Sequence, residues 1–166
     1  SGDINDNDVV SGSGSTLSIT NNTENNYHVL VSTGDVETAR LDGFTVKGGN
    51  ANNSSGETII NTITTEQASG GGMYNQNSSP TLANCAFTGN LANFNGGAIY
   101  NRSANPTITN CVVSKNIAYY YGGGIFNFQS SITLTNCTIK FNSQGSGGSG
   151  GGGMSNDSST LIFNGC

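Results

Sequence analysis

The chain has 166 residues, 10 acidic and 5 basic, for a formal charge of −5. Charged residues make up 9% of it, against roughly 25% in ordinary globular domains. This excludes a basic footprint for nucleic acid or anionic lipid and leaves few side chains for acid–base chemistry. No stretch approaches the roughly 18 apolar residues of a membrane span, so no membrane insertion of this segment is expected.

Gly, Asn, Ser and Thr together supply 89 of the 166 residues. Such a composition leans toward disorder unless its few apolar residues keep a strict register, and here they do.

Taken in chain order, the first feature is Asp3-Ile4-Asn5-Asp6-Asn7-Asp8. Oxygen-bearing side chains at alternate positions resemble the start of a calcium loop. The pattern predicts at most a weak calcium site at Asp3, Asn5, Asn7 and Asp8, because the sixth position is not Gly and the twelfth is Gly14 rather than an acid. Calcium is the only cofactor the sequence suggests. Residues 16–20 and 27–31 then alternate in the manner of strands and are expected to belong to early, irregular coils. Residues 41–48 (Leu-Asp-Gly-Phe-Thr-Val-Lys-Gly) map onto residues 82–89 at an offset of 41. That offset is one 26-residue repeat plus about fifteen inserted residues, placed near 53–69.

The repeat itself starts at Gly70-Gly71-Gly72-Met73-Tyr74-Asn75. It returns as Gly96-Gly97-Ala98-Ile99-Tyr100-Asn101, as Gly122-Gly123-Gly124-Ile125-Phe126-Asn127, and as Gly151-Gly152-Gly153-Met154-Ser155-Asn156. The spacings are 26, 26 and 29, and Cys85, Cys111, Cys137 and Cys166 follow the same intervals. No helical stripe fits, and glycine triplets oppose a helix. Short alternating runs bounded by Gly, Asn and Ser instead predict coils of three short parallel strands, which bury their apolar residues only when stacked about 4.8 Å apart. The fold class read from this pattern is all-β, a right-handed parallel β-helix of five to six coils. Residues 1–166 form a single segment, with irregular coils over 1–69 and regular ones over 70–166. It reads as a piece of a longer chain or of a filament.

In such a stack each repeat position becomes a column. Met73, Ile99, Ile125 and Met154 should point inward, as should Leu82, Ile108, Leu134 and Phe163, and Phe87, Val113 and Ile139. Asn75, Asn101, Asn127 and Asn156 predict a corner-stabilising ladder. The cysteine column puts Cα atoms inside the range that permits disulfides, roughly 4.4–6.8 Å. Side chains pointing the same way give poor S–S dihedrals, and Phe44 shares the column, so free buried thiols are expected, with one or two disulfides as the alternative. Metal ligation by these thiols lacks a CxxC or an accompanying histidine. Tyr74, Tyr100 and Phe126 should face outward as an aromatic ladder, flanked by Tyr119, Tyr120 and Tyr121, and could stack on sugar rings.

Gly96-Gly97-Ala98-Ile99, preceded by Phe87-Thr88-Gly89-Asn90, resembles the repeats of chlamydial-type polymorphic outer membrane proteins. Residues 41–50 (Leu-Asp-Gly-Phe-Thr-Val-Lys-Gly-Gly-Asn) are similar to segments of large secreted β-helix proteins of Bacteroidetes. The resemblance implies a passenger at the bacterial surface or outside the cell, used for adhesion or as a stalk. Catalysis within the segment is not expected. Residues 70–166 hold one acid, Asp157, and three bases, Arg102, Lys115 and Lys140, whereas polysaccharide-cleaving enzymes need clustered carboxylates or a base beside them. The expected partner is a receptor or glycan that the sequence does not identify. Alternatives are a carbohydrate-binding or polysaccharide-degrading protein whose catalytic residues lie outside this segment, and a subunit that associates end to end.

Overall fold

The structure is a computed structural model that describes residues 1–34 and 39–166. Four parallel sheets run side by side along one axis, each built from one short strand per coil. Going round a coil, the first sheet contains Leu30–Thr33, Met73–Gln76, Ile99–Arg102, Ile125–Phe128 and Met154–Asp157. The second contains Arg40–Asp42, Thr81–Ala83, Thr107–Thr109, Ser131–Thr135 and Thr160–Asn164. The third contains Thr45–Lys47, Ala86–Thr88, Val112–Ser114 and Thr138–Lys140, and the fourth Asn50–Ala51, Leu91–Ala92, Ile117–Ala118 and Ser143–Gln144. The result is a β-solenoid of four complete coils and the first half of another, fewer than the five to six expected. Each coil carries four strands rather than three, because the two-residue fourth strand is too short to leave a periodic mark in the sequence.

The register is that of the repeat: Met73 pairs with Ile99, Ile99 with Ile125, and Ile125 with Met154. Leu30 continues the column below Met73, and Leu41 continues that of Leu82. Leu82, Phe87, Ile99, Ile108, Val113, Ile125 and Leu134 are wholly buried. Burying each such side chain contributes roughly 1.5–3 kcal/mol, so stability accumulates along the axis. Columns end where stacking ends. Phe163, above Leu134, is 52% exposed. Ile132 adds a buried position beside the expected ones, in register with Leu161.

Asn75, Asn101, Asn127 and Asn156 lie within first-sheet strands, on the same inward side as the Met73 column, and not at corners as expected. Each carboxamide donates to the next: Asn75 Nδ2 to Asn101 Oδ1 at 2.8 Å, Asn101 to Asn127 at 2.7 Å, and Asn127 to Asn156 at 2.7 Å. The run begins at Asn75 because Ser32 occupies that register position in the first coil. The corner role falls to Asn90, Asn116 and Asn142. Asn116 Oδ1 accepts the backbone N–H of Asn90, and Asn142 Oδ1 that of Asn116, at 3.0 Å each. Glycines carry the other corner. Gly96 and Gly122 adopt φ of 61° and 60°, a region that favours glycine. A Cβ on Gly97 would run into the backbone of Ile117 and Gly123.

Two antiparallel pieces depart from the coil plan. Residues 16–20 do not form an earlier coil. Val9–Ser11 pairs antiparallel with Ser18–Thr20 around a 3-10 turn at Gly14–Thr16. This hairpin lies along the flank of the solenoid. Gly2 N–H donates to Lys47 O of the first coil, Val10 lies against Gly89 of the second, and the 3-10 turn touches the Ser143–Gln144 strand of the fourth. Its alternation, with Leu17 and Ile19 buried, suits a strap as well as it suits a coil. The second piece falls in the insertion between the first and second coils. Glu57–Ile60 pairs antiparallel with Ile63–Glu66, and Asn61 and Thr62 take the turn with φ of 50° and 65°, the pattern of a type I′ hairpin. Among the described residues no helix is long and apolar enough to cross a membrane.

Candidate functional site

Tyr74, Tyr100 and Phe126 stack in register on the outer face of the first sheet, with ring centroids 5.1 and 5.8 Å apart. They do not form an open ladder. Their exposures are 0%, 5% and 7%, which rules out a sugar lying flat on them. The cover comes from pieces outside the repeat and from the aromatic residue that closes one coil. The His28 ring sits 5.4 Å from Tyr74, Tyr121 stacks on Phe126 at 5.8 Å, and the inserted hairpin stands beside Met73–Gln76. Tyr119, Tyr120 and Tyr121 remain exposed, with Tyr119 and Tyr120 beside Phe94 in a shallow 310 Å³ depression.

The hairpin and the first sheet enclose the largest groove among those described, 570 Å³, lined by Glu57, Ile63, Thr64, Glu66, Gln76, Asn77 and Arg102. Glu57 and Glu66 are direct cross-strand partners. Burial pushes the Glu66 carboxyl above the ordinary carboxylate range, and the facing Tyr100 hydroxyl and Arg102 charge only partly offset it. Burial and the Glu66 charge together push the Tyr74 phenol up to about 12, and that of Tyr100 higher still. Both phenols therefore stay protonated and serve as hydrogen-bond donors. Tyr74 Oη donates to Gln76 Oε1 at 2.9 Å. The groove thus offers two carboxylates, one guanidinium and several amide and hydroxyl groups, a set suited to holding polyhydroxylated ligands.

Sequence reasoning missed this assembly because Glu57 and Glu66 lie in the insertion, where a 26-residue period carries no information. Arg102 appeared there only as an isolated base. His28, the single histidine, is half-buried beside Tyr74. Its Nδ1 donates to Gly70 O at 3.0 Å, and burial holds its pKa below the ordinary value.

The predicted calcium residues do not converge as a loop. Asp3 spends its carboxylate on the backbone, Oδ1 accepting Asn7 N–H and Oδ2 accepting Asp8 N–H, both at 3.3 Å. Asn5 and Asn7 are exposed, whereas Asp3 and Asp8 are half-buried. Among the described residues, no group of three or more His, Cys, Asp or Glu is placed to hold a metal.

All four cysteines are free, with Cys85, Cys111 and Cys137 buried and Cys166 exposed. Cys111 Sγ accepts the backbone N–H of Cys85 at 3.4 Å, and Cys166 Sγ that of Cys137 at 3.2 Å. Burial pushes the Cys111 thiol up to about 11 and raises Cys137 as well, so these thiols are structural and unreactive. Phe44 holds the register position of Cys85 but is 59% exposed. The column is therefore not a general apolar slot. It is a corner that a small thiol fills while bonding the backbone.

Comparison with protein-family models, with curated proteins and with solved structures yields no match, so neither polymorphic outer membrane protein repeats nor Bacteroidetes β-helix proteins are linked to this chain by them.

Proposed function

We propose that this chain is a non-catalytic structural and adhesive β-helix segment of a bacterial surface or secreted protein, and that it binds a neutral glycan in the groove beneath its inserted hairpin. One observation carries this reading: a 570 Å³ groove gathers Glu57, Glu66, Gln76, Asn77 and Arg102 between the hairpin and the first sheet. Paired acceptors and donors of that kind match the vicinal hydroxyls of a sugar, and two carboxylates disfavour an acidic one. The coils supply a rigid support whose stability grows with length. A glycan array with the purified chain tests the proposal. Binding to a neutral oligosaccharide that falls at least tenfold in Arg102→Ala is expected. Failure to bind any glycan would leave only the stalk role.

A second reading rests on the pairing of Glu66, raised by burial, with Glu57. Two facing carboxylates are the equipment of glycoside hydrolysis. Incubating the bound glycans and assaying new reducing ends distinguishes the two, since turnover lost in Glu66→Gln would replace adhesion with hydrolysis.

A further inference from the structure

We propose that Asp8, Glu24 and Asn25 bind a divalent cation of the calcium type, which fastens the N-terminal strap to the first coil. Three acceptor oxygens carry the inference. Asp8 Oδ1, Glu24 Oε1 and Asn25 Oδ1 are all buried, and none has a hydrogen-bond partner among the described residues. The companion atoms of the same three groups are engaged. Asp8 Oδ2 accepts Asn25 Nδ2 at 2.9 Å, and Glu24 Oε2 accepts Thr23 Oγ1 at 3.4 Å. A buried acceptor without a donor costs more than an ordinary hydrogen bond returns. Three of them in residues that adjoin one another call for a common positive partner.

Asn25 is only 9% exposed, and its carboxamide lies against the Asp8 carboxylate. Flipping that amide would set oxygen against oxygen, so exchanging O for N does not remove the difficulty. Asn50, under the same loop, donates Nδ2 to Asn22 O at 2.6 Å and also leaves its Oδ1 without a donor. Lys47 lends part of its charge to Asp8, but its ammonium is bonded to Asp6 at 3.0 Å and makes no hydrogen bond to the three oxygens. Burial, together with the Asp3 and Glu24 charges, raises the Asp8 carboxyl pKa against the opposing Asn25 hydrogen bond and Lys47 charge.

Two carboxylates and amide oxygens, with no nitrogen or sulfur ligand, select a hard cation. An irregular loop suits calcium better than magnesium, which demands near-ideal octahedral geometry. Three protein ligands place the affinity in the weak range of extracellular modules, Kd about 0.1–1 mM. The ligands are not those of the linear Asp3–Asn5–Asn7 pattern. They join the base of the strap to the loop that leads into the first coil.

The test titrates the EDTA-treated full chain with calcium chloride, and separately with magnesium chloride, by calorimetry and thermal melting at constant ionic strength. Calcium at about 10 mM should raise Tm on the order of 5 °C, slow proteolysis within residues 9–20, and outperform magnesium. Glu24→Gln, which keeps the shape of the side chain, should weaken calcium binding at least tenfold with an unchanged circular dichroism spectrum. Asp3→Asn should lower Tm and leave calcium affinity alone, and Glu66→Gln should leave it alone as well. The proposal is overturned if the wild-type chain binds no calcium at millimolar concentration. It is equally overturned if Glu24→Gln binds as tightly as wild type, or if Asp3→Asn stays folded and loses the ion. Because the titration is read without any glycan, its failure and the failure of the groove proposal are separable.

Discussion

The regular coils over residues 73–142 and the two hairpins appended to them obey different rules. In the coils each residue sits above its own counterpart about 4.8 Å away, so a charge written into the repeat would face its own kind in every layer and destabilise the stack. Asn, Cys, Ser and Thr occupy the polar columns, and the two basic residues in strand register among them meet no like charge: Arg102 is flanked by Gln76 and Phe128, and Lys140 pairs with Ser114. The hairpins escape this constraint because they occur once. Asp3, Asp6, Asp8, Glu24, Glu57 and Glu66 all precede residue 67, and a single acid, Asp157, follows it. Repetition therefore builds the support, and departures from it gather the chemistry.

The contrast is sharpest where a column is cut. Ile108→Ala, in mid-column and wholly buried, should cost about 2–5 kcal/mol in urea unfolding. Phe163→Ala, at the end of the neighbouring run of the same column, should cost less than about 1 kcal/mol. Equal losses would mean that stacking does not govern stability. The amide ladder gives a second pair. Asn101→Ala removes two bonds and strands Asn75 Nδ2 and Asn127 Oδ1 in the interior, for about 2–4 kcal/mol. Asn156→Ala, at the exposed end, should lie within about 1 kcal/mol of wild type.

A smaller effect separates the appended region by pH. His28 is neutral and its pKa lies below the ordinary 6.5 because burial opposes the charge. Above that value both folded and unfolded chains are neutral there and stability is unaffected. Below it the unfolded chain takes up the proton first, so stability falls as pH drops from about 6.5. His28→Gln should flatten that limb in chemical denaturation measured between pH 7 and about 5. Glu66 acts in the opposite sense. Its raised pKa means that stability is lost as pH rises through its titration, so Glu66→Gln should be neutral or stabilising at pH 7. The least intrusive comparison uses the native thiols. With a thiol reagent, Cys166 should react at once, while Cys85, Cys111 and Cys137 should react only as fast as the chain opens. Simultaneous reaction of all four would contradict the stacked corner.

How much of this the sequence disclosed follows from the same division. The 26-residue spacing between Met73, Ile99 and Ile125 specifies register directly, since stacking is the only arrangement that buries all three. The stacking of the cysteine and asparagine columns was equally legible, but not the place of the asparagines within strands. The two-residue strand at Leu91–Ala92 was not, because Ala92 and Ala118 are too small to stand out as a core column. Tyr74, Tyr100 and Phe126 were placed on the correct face but read as exposed, for a repeat says what lies above and below a residue and nothing of what lies over it. The groove and the orphaned oxygens near Asp8 depend on pairings such as Glu66 beside Tyr100 and Asp8 beside Asn25, 34 and 17 positions apart. No periodicity announces those.

The division itself is tested most directly by excising residues 53–67, so that the first coil runs into the second as the later coils do, and following the melt by far-ultraviolet circular dichroism. A solenoid that carries its own fold should keep its β spectrum and a single cooperative transition, with Tm lowered because Tyr74 and Tyr100 lose their cover. A chain that loses the spectrum altogether would show that the hairpin is part of what folds the coils, and the separation of support from chemistry would be wrong.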